Sequence, residues 1–335
     1  MIQIGMIGMG FMGRVHYETY AKLPQANVTA IADTDPRRAG GDLSGVWGNL
    51  GDGISKSLPM DRITGMTDWS KLLAMPEIDV IDICTPTTTH AEIAIAALSA
   101  GKHVLCEKPL ARTADEAVQI AQAAENAAGY FMPAMCMRFW SEWKWLAEAV
   151  ADRRFGKVLA AAFYRLGTTP PGWYRDGRLS GGALLDLHVH DVDFVYHLFG
   201  KPAGVFSCGF NLVSGEIDHV VTQYLFDDGP TVSAAGSWAN SPGTPFTMRY
   251  AVNFEQATVD YDLSRPKPLM LYQDEKATPV EHAGETGYLG EIRYFLDCVA
   301  NRRRPRMVTA DDAVAGLRIA EAEKRSIETG RVVAL

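Results

Sequence analysis

Six residues of mainly apolar character, Ile2-Gln3-Ile4-Gly5-Met6-Ile7, run straight into Gly8-Met9-Gly10-Phe11-Met12-Gly13, and a helical pattern follows from Arg14 to Leu23. A strand that is apolar on both faces belongs in a parallel sheet covered by helices. A G-x-G-x-x-G run between such a strand and a helix commits the chain to a βαβ unit. Gly8 would make the tight turn, Gly10 would admit a pyrophosphate, and Gly13 would let helix and strand approach. Phe11 and Met12 fall in the same loop, and the phosphates would rest on the helix N-terminus.

Asn27-Val28-Thr29-Ala30-Ile31-Ala32 reads as a second strand, ending at Asp33, twenty residues beyond Gly13. That is the spacing at which a carboxylate grips the ribose 2′-hydroxyl of NAD and repels the 2′-phosphate of NADP. Arg37 and Arg38 stand close by, and arginine is the residue that accommodates NADP, so NADP stays the alternative to NAD. Farther on, Leu43, Val46, Trp47 and Leu50 have the spacing of one amphipathic helix. A short strand near Ile63, a helix from Trp69 and a strand from Glu77 to Cys84 follow. Thr89 with Glu92, and Thr113 with Glu116, read as capping boxes opening helices over about 91–100 and 114–128. Another strand covers Tyr130 to Met137. The alternation predicts a doubly wound α/β sheet of the Rossmann type.

Within it, the apolar run Lys102-His103-Val104-Leu105 leads to Cys106-Glu107-Lys108-Pro109. Pro109 removes a backbone donor and keeps Lys108 out of helical geometry. The lysine is therefore presented at the carboxyl end of a strand, where open α/β sheets bind their ligands.

A chain of 335 residues is long for one core and predicts two domains. A net charge of −8 argues against a nucleic-acid partner, which needs a basic face. Arg302-Arg303-Arg304 is the one basic run, read as solvating a helix C-terminus. Five scattered cysteines without C-x-x-C spacing suggest neither zinc nor a disulfide framework. The apolar stretches are too short for a membrane span, and no leader pattern opens the chain. The expectation is a cytoplasmic protein with no membrane partner.

In the second half, Trp140 to Arg154 reads as a helix and Val158 to Tyr164 as a strand. Leu184, Leu185, Leu187, Phe194, Val195 and Leu198 continue a helical apolar pattern, which would put Asp186 and His190, four apart, on one face. A carboxylate and an imidazole one turn apart could act on the same hydroxyl. Asp186, His188, His190, Asp191 and Asp193 could also be metal ligands, but i and i+2 do not face each other on a helix, so no metal is expected. Beyond Ala203 come candidate strands over 204–213, 219–226, 231–238, 247–254, 257–262 and 269–272, with Asp227-Asp228-Gly229-Pro230 as a hairpin turn. Helices at about 290–300 and 311–329, the latter with Thr309 as N-cap and Gly330 as its stop, close the chain.

Taken together, Gly8–Gly13 with His16, Cys84-Thr85-Pro86 with His90, and Ala100-Gly101-Lys102-His103-Val104-Leu105-Cys106-Glu107-Lys108-Pro109-Leu110 resemble the Gfo/Idh/MocA oxidoreductases. The resemblance covers essentially the whole chain. It implies a Rossmann domain over 1–128. Residues 129–335 would form a substrate-binding and oligomerisation domain with a large, mostly antiparallel open sheet. The last helix would pack back on the first domain, and Arg331–Leu335 would form a terminal strand. It implies hydride transfer between a secondary alcohol of a sugar, cyclitol or other polyol and NAD, in a homodimer or homotetramer. Thr85, Pro86, His90, Glu107 and Lys108 would then join the glycine loop and Asp33 around the cofactor. Gly182, Asp186 and His190 match the family's G-x-x-x-D-x-x-x-H motif, which makes Lys108, Asp186 and His190 the catalytic set, with His188 where glycine is more usual. Arg138-Phe139 is similar to a pair near the family's substrate, and Tyr164 and Trp173 are aromatics that could stack on a sugar, as are Trp143, Tyr174, Trp238 and Tyr288. Two other readings stand beside this one: transient oxidation by tightly held NAD for elimination, epimerisation or glycoside cleavage, and a non-catalytic NAD-binding regulator.

Overall fold

The structure, a computed structural model, describes residues 1–48 and 56–335. The chain divides into two compact units, Met1–Phe139 with Thr286–Val314, and Trp140–Glu285 with Ala315–Leu335.

The first unit follows the alternation read from the sequence: β1 (Ile2–Ile7), α1 (Phe11–Tyr20), β2 (Ala26–Ala32), α2 (Pro36–Ala39), β3 (Thr64–Met66), α3 (Trp69–Leu73), β4 (Val80–Ile83), α4 (His90–Ser99), β5 (His103–Glu107), α5 (Ala114–Asn126) and β6 (Phe131–Ala134). The six strands are parallel in the order β3-β2-β1-β4-β5-β6. The order reverses at β1, so the ends of β1 and β4 open at the topological switch point, where such sheets take their ligands.

Local chemistry explains where these helices begin. The helix after the glycine loop starts at Phe11, earlier than its apolar pattern suggested, because Gly13 lies inside its first turn. Thr113 caps α5 by accepting the Glu116 N–H, while the Glu116 carboxylate accepts the N–H of Arg112. The capping box expected at Thr89 does not form. A short 3₁₀ turn over Thr87–Thr89 precedes α4, and the Thr89 hydroxyl donates to Thr85 Oγ1 and the Pro86 carbonyl instead. Nor is there a helix from Leu43: the described part, residues 43–48, is turn and irregular chain, and Leu50 lies outside the described residues. Glycines at 40, 41, 45 and 48 cost a helix more than its apolar spacing returns.

The second unit contains α6 (Ser141–Ala151), β7 (Val158–Leu166), α7 (Gly177–Ser180), α8 (Gly182–Asp186), α9 (Val189–Phe199), β8 (Gly204–Phe210), β9 (His219–Leu225), β10 (Thr231–Ser237), β11 (Thr247–Phe254), β12 (Thr258–Asp262), β13 (Leu269–Gln273) and β14 (Lys276–Pro279). Two helices follow, α10 (Gly287–Ala300), which belongs to the first unit, and α11 (Ala310–Thr329), before β15 (Val333–Ala334). The nine strands run β14-β13-β12-β11-β7-β10-β9-β8-β15, and all pairs are antiparallel except β7 with β10.

Alternation divides the faces of this sheet. Phe163, Tyr250 and Tyr261 point inward around the fully buried Trp143 of α6 and Phe194 of α9, with Trp143 edge-on to Tyr250 and Tyr261 at 5.1 and 4.6 Å. The other face carries Tyr164, Phe206, Val221 and Tyr272, all substantially exposed. No described helix is long and apolar enough to cross a membrane.

Candidate active site

The glycine loop does what its spacing demands. Gly8 holds φ +91°, and a Cβ there would come within 2.7 Å of the Cys84 backbone at the end of β4. A Cβ on Gly13 would overlap the Gly8 carbonyl oxygen, so α1 rests directly on the loop. At Gly10 a Cβ would meet nothing within 4 Å. Among the described residues no side chain caps α1 at Gly10, and the first N–H groups of a helix have no partner within it. This is the cradle a pyrophosphate needs.

Asp33 ends β2 beside this loop. Its carboxylate accepts the N–H of Met9 at 2.8 Å and of Asp35 at 2.8 Å, and Arg38 sits 3.3 Å away. Arg37 pairs with Asp35 at 3.4 Å. The two arginines read as possible NADP ligands are thus each engaged by an acid, and the residues fit NAD.

His90, expected near the cofactor, is almost wholly buried. Its Nδ1 lies 3.0 Å from the Pro109 carbonyl oxygen and its Nε2 2.9 Å from that of Thr85, and burial lowers its pKa. It ties the turn after β4, with Thr85 and Pro86, to the turn after β5 and so supports the site from behind.

Lys108 follows the last residue of β5, joined to Pro109 by a cis peptide bond. Glu107 does not face outward. It is 5% exposed; one carboxylate oxygen accepts the Lys108 N–H at 3.0 Å and the other lies 3.0 Å from His16 Nε2. Glu107 holds the turn.

Behind it lies a cluster that sequence reasoning missed: His16 on α1, Asp82 in β4, Cys84 just after it, Glu107 and Glu291 on α10. The available signal was Asp82, a carboxylate inside the apolar run Val80–Ile83, since a buried charge requires a partner. Burial pushes the Cys84 thiol far up, so it stays protonated.

Arg138 is buried and engaged within the first unit. Its side chain is 3% exposed, and it donates to the Met307 carbonyl oxygen at 2.9 Å and pairs with Asp312 at 3.2 Å. It clamps the chain at the start of α11 and is set aside as a substrate ligand.

In the second unit, Asp186 and His190 do not share one continuous helix. Asp186 is the last residue of α8, Leu187 and His188 form a break, and His190 lies in the first turn of α9. The His188 N–H reaches back to the Ala183 carbonyl at 2.7 Å, one residue farther than an α-helix allows. His188 sits at the break. Its ring is fully buried, 3.4 Å from both a Glu323 oxygen and the Tyr224 hydroxyl. The backbone at Gly236 accommodates it, where a Cβ would come within 2.7 Å of His188 Cβ. Burial alone would lower the His188 pKa, but the Glu323 carboxylate outweighs it and the pKa is raised. Asp191, one residue past His190, forms a bidentate pair with Arg165, 3.0 Å on each arm.

Trp173 is half-buried and stacks on Tyr174 at 4.2 Å, and Tyr174 meets Trp238 edge-on at 6.0 Å. The Ser180 hydroxyl donates to the Tyr174 carbonyl, which ties this aromatic shelf to the chain entering α8. Tyr164 instead lies on the sheet face opposite Phe163, which packs against α9, and is set aside as a substrate contact. Trp143 is core.

Residues 2–134 match a family model described as an oxidoreductase family with an NAD-binding Rossmann fold, and residues 143–260 match the GFO/IDH/MocA C-terminal domain. A myo-inositol 2-dehydrogenase of Thermotoga maritima is 27% identical, the match spanning 100% of this chain and 98% of that protein. The structure of GenD2 from gentamicin A biosynthesis in complex with NAD is similar at TM-score 0.83 and 26% identity, covering 100% of this chain and 96% of that one. Levoglucosan dehydrogenase in complex with NADH has the same fold, at TM-score 0.84 and 22% identity over 99% of this chain and 98% of that one.

Proposed function

Because this chain belongs to the GFO/IDH/MocA oxidoreductase family, we propose that it is an NAD-dependent dehydrogenase acting on a secondary alcohol of a sugar, cyclitol or related polyol. The observation that carries the reading is the uncapped α1 N-terminus beside the open position of Gly10, with Asp33 at the end of the neighbouring strand. The polyol class is supported by the myo-inositol dehydrogenase that matches along the full chain.

When bound, the cofactor supplies the hydride chemistry; the chain supplies binding, orientation and proton handling. Gly8, Gly10, Phe11, Met12 and Gly13 would receive the pyrophosphate, Asp33 the ribose, and Thr85 and Pro86 would border it. His190 would take the proton of the reacting hydroxyl as general base, and Asp186 would orient the substrate or the imidazole. Lys108 hydrogen-bonds the reacting oxygen and stabilises its developing negative charge. Trp173 offers a ring face for a sugar to stack on. Residues 1–128 would serve the cofactor and the remainder the substrate and self-association.

The exposed face of the nine-stranded sheet, with Tyr164, Phe206, Val221 and Tyr272 on it, is taken as the surface through which copies form a dimer or tetramer. Its five cysteines are free, which suits the reducing cytoplasm.

The test is an initial-rate screen of cyclitols, aldoses and anhydrosugars with NAD and with NADP, following NADH or NADPH absorbance. NAD-linked turnover of at least one polyol is expected. Cofactor binding without net oxidation or reduction across the panel would overturn the assignment.

A further inference from the structure

Directly behind the Lys108 turn, four ionisable side chains from α1, β4, β5 and α10 meet, and the reaction as described uses none of them. His16 Nδ1 lies 2.8 Å from Asp82 Oδ2, and its Nε2 lies 3.0 Å from Glu107 Oε1. His16 and Asp82 are fully buried. A neutral imidazole has one N–H donor, and this ring is hydrogen-bonded to Asp82 on one side and within ion-pair distance of Glu107 on the other, an arrangement that favours the imidazolium. Burial disfavours that charge, but Asp82 and Cys84 together outweigh it and hold the His16 pKa well above the usual histidine range. Burial likewise works to raise Glu107, but His16 and Lys108 together overcome it and its pKa is lowered. Glu291 completes the group, 4.0 Å from His16 Nε2. Among the described residues neither of its oxygens has a hydrogen-bond partner, and burial, reinforced by Glu107, drives its pKa up.

A buried ion pair costs several kcal/mol per ion in desolvation, and an apolar set of similar volume is often as stable or more so. Stability is therefore a poor reason for this set. Its geometry points outward instead, because the far oxygen of Glu107 accepts the Lys108 N–H at 3.0 Å.

We propose that His16 is a positioning residue for Lys108: anchored by Asp82, it fixes the Glu107 carboxylate, which in turn fixes the backbone that presents the lysine. The inference rests on the role given to Lys108 under Proposed function. His16 touches neither substrate nor cofactor in this scheme and acts only through the turn.

The experiment is a double-mutant cycle in the full-length enzyme with His16→Leu, Lys108→Ala and the double variant, reading kcat, KM for NAD and the pH profile of kcat. His16→Leu is expected to lower kcat at least 10-fold, to change the pH profile, and to leave KM for NAD within about 3-fold. In the Lys108→Ala background the same change should cost less than about 2-fold, because the group it positions is gone. Equal losses in both backgrounds, or no loss in the parent, would overturn the proposal. So would a stoichiometric metal in the purified enzyme that His16→Leu removes, since His16, Glu107 and Glu291 also have ligand atoms within 4.8 Å of one another. If His16→Leu does not fold, His16→Gln, which keeps N–H donors on a neutral side chain, carries the same cycle and should show a smaller loss of the same pattern. A Lys108→Ala enzyme as active as the parent would instead overturn the role of Lys108, and the cycle separates that failure from the failure of His16.

Discussion

The Asp33 carboxylate accepts the backbone N–H of Met9 at 2.8 Å, so the acid that closes β2 is bonded to the middle of the glycine turn after β1. Asp33→Asn keeps an oxygen for Met9 and loses the charge. Hydrogen bonds to charged groups contribute about 1.5–3 kcal/mol, so kcat/KM with NAD should fall roughly 10- to 100-fold. NADP should lose less, because the repulsion of its 2′-phosphate goes with the charge. An unchanged ratio of the two kcat/KM values would remove Asp33 from cofactor selection.

Gly10 and Gly13 should fail in different ways. At Gly10 a methyl meets only open space, so Gly10→Ala should melt at the parent's temperature and bind NAD at least 10-fold more weakly. Gly13→Ala drives a methyl into the Gly8 carbonyl, and overpacking of this kind costs about 1–3 kcal/mol. Melting curves with and without NAD distinguish the two. A Gly10→Ala enzyme with parental NAD affinity would move the phosphates elsewhere.

Removing a positioned acid–base group costs on the order of 10²–10⁴-fold. His190→Ala and Lys108→Ala should each fall in that range in kcat while keeping NAD affinity within a few-fold. The measurement is steady-state kinetics on the best polyol from the screen. A loss confined to substrate KM would make either residue a binding contact only.

The His188–Glu323 pair predicts a pH dependence of stability. The pKa of His188 is raised in the folded state, so its contribution is fully present below the unfolded value of about 6.5 and is lost as pH rises through the folded pKa. Glu323→Gln removes the partner, so the gap in unfolding free energy between parent and variant should narrow from pH 6 to pH 9. Urea titrations at both pH values check it. A gap that is constant or widens with pH would mean that His188 is neutral when folded.

If the exposed sheet face joins copies of the chain, Val221→Glu with Phe206→Glu should reduce the assembly to monomers in sedimentation velocity, with NAD affinity retained. An unchanged sedimentation coefficient would place the interface elsewhere.

What the sequence made legible was contiguous. The glycine turn and Asp33 lie within one βαβ unit, where backbone geometry fixes the spacing, and alternation alone separated the parallel sheet from the largely antiparallel one. The His16 cluster was hidden because its members come from four elements as distant as α1 and α10, and only the packing of the first unit brings them together. The break between α8 and α9 was hidden for another reason. Apolar periodicity runs unbroken through Leu184, Leu187 and Phe194, while His188 at the break meets Glu323, a long-range pair with no local signature. Arg138 misled because an arginine before an aromatic looks the same whether it meets a substrate or Asp312.

The fit of His188 against Gly236 has an evolutionary consequence. A side chain at 236 would collide with His188, so the two positions are sterically linked. In descendants of this chain a side chain at 236 must arrive with, or after, glycine at 188, because the first clash is with the Cβ of residue 188. Grafting histidine at 188 into a relative with alanine or a larger residue at the equivalent of 236 should fail until that position is made glycine as well.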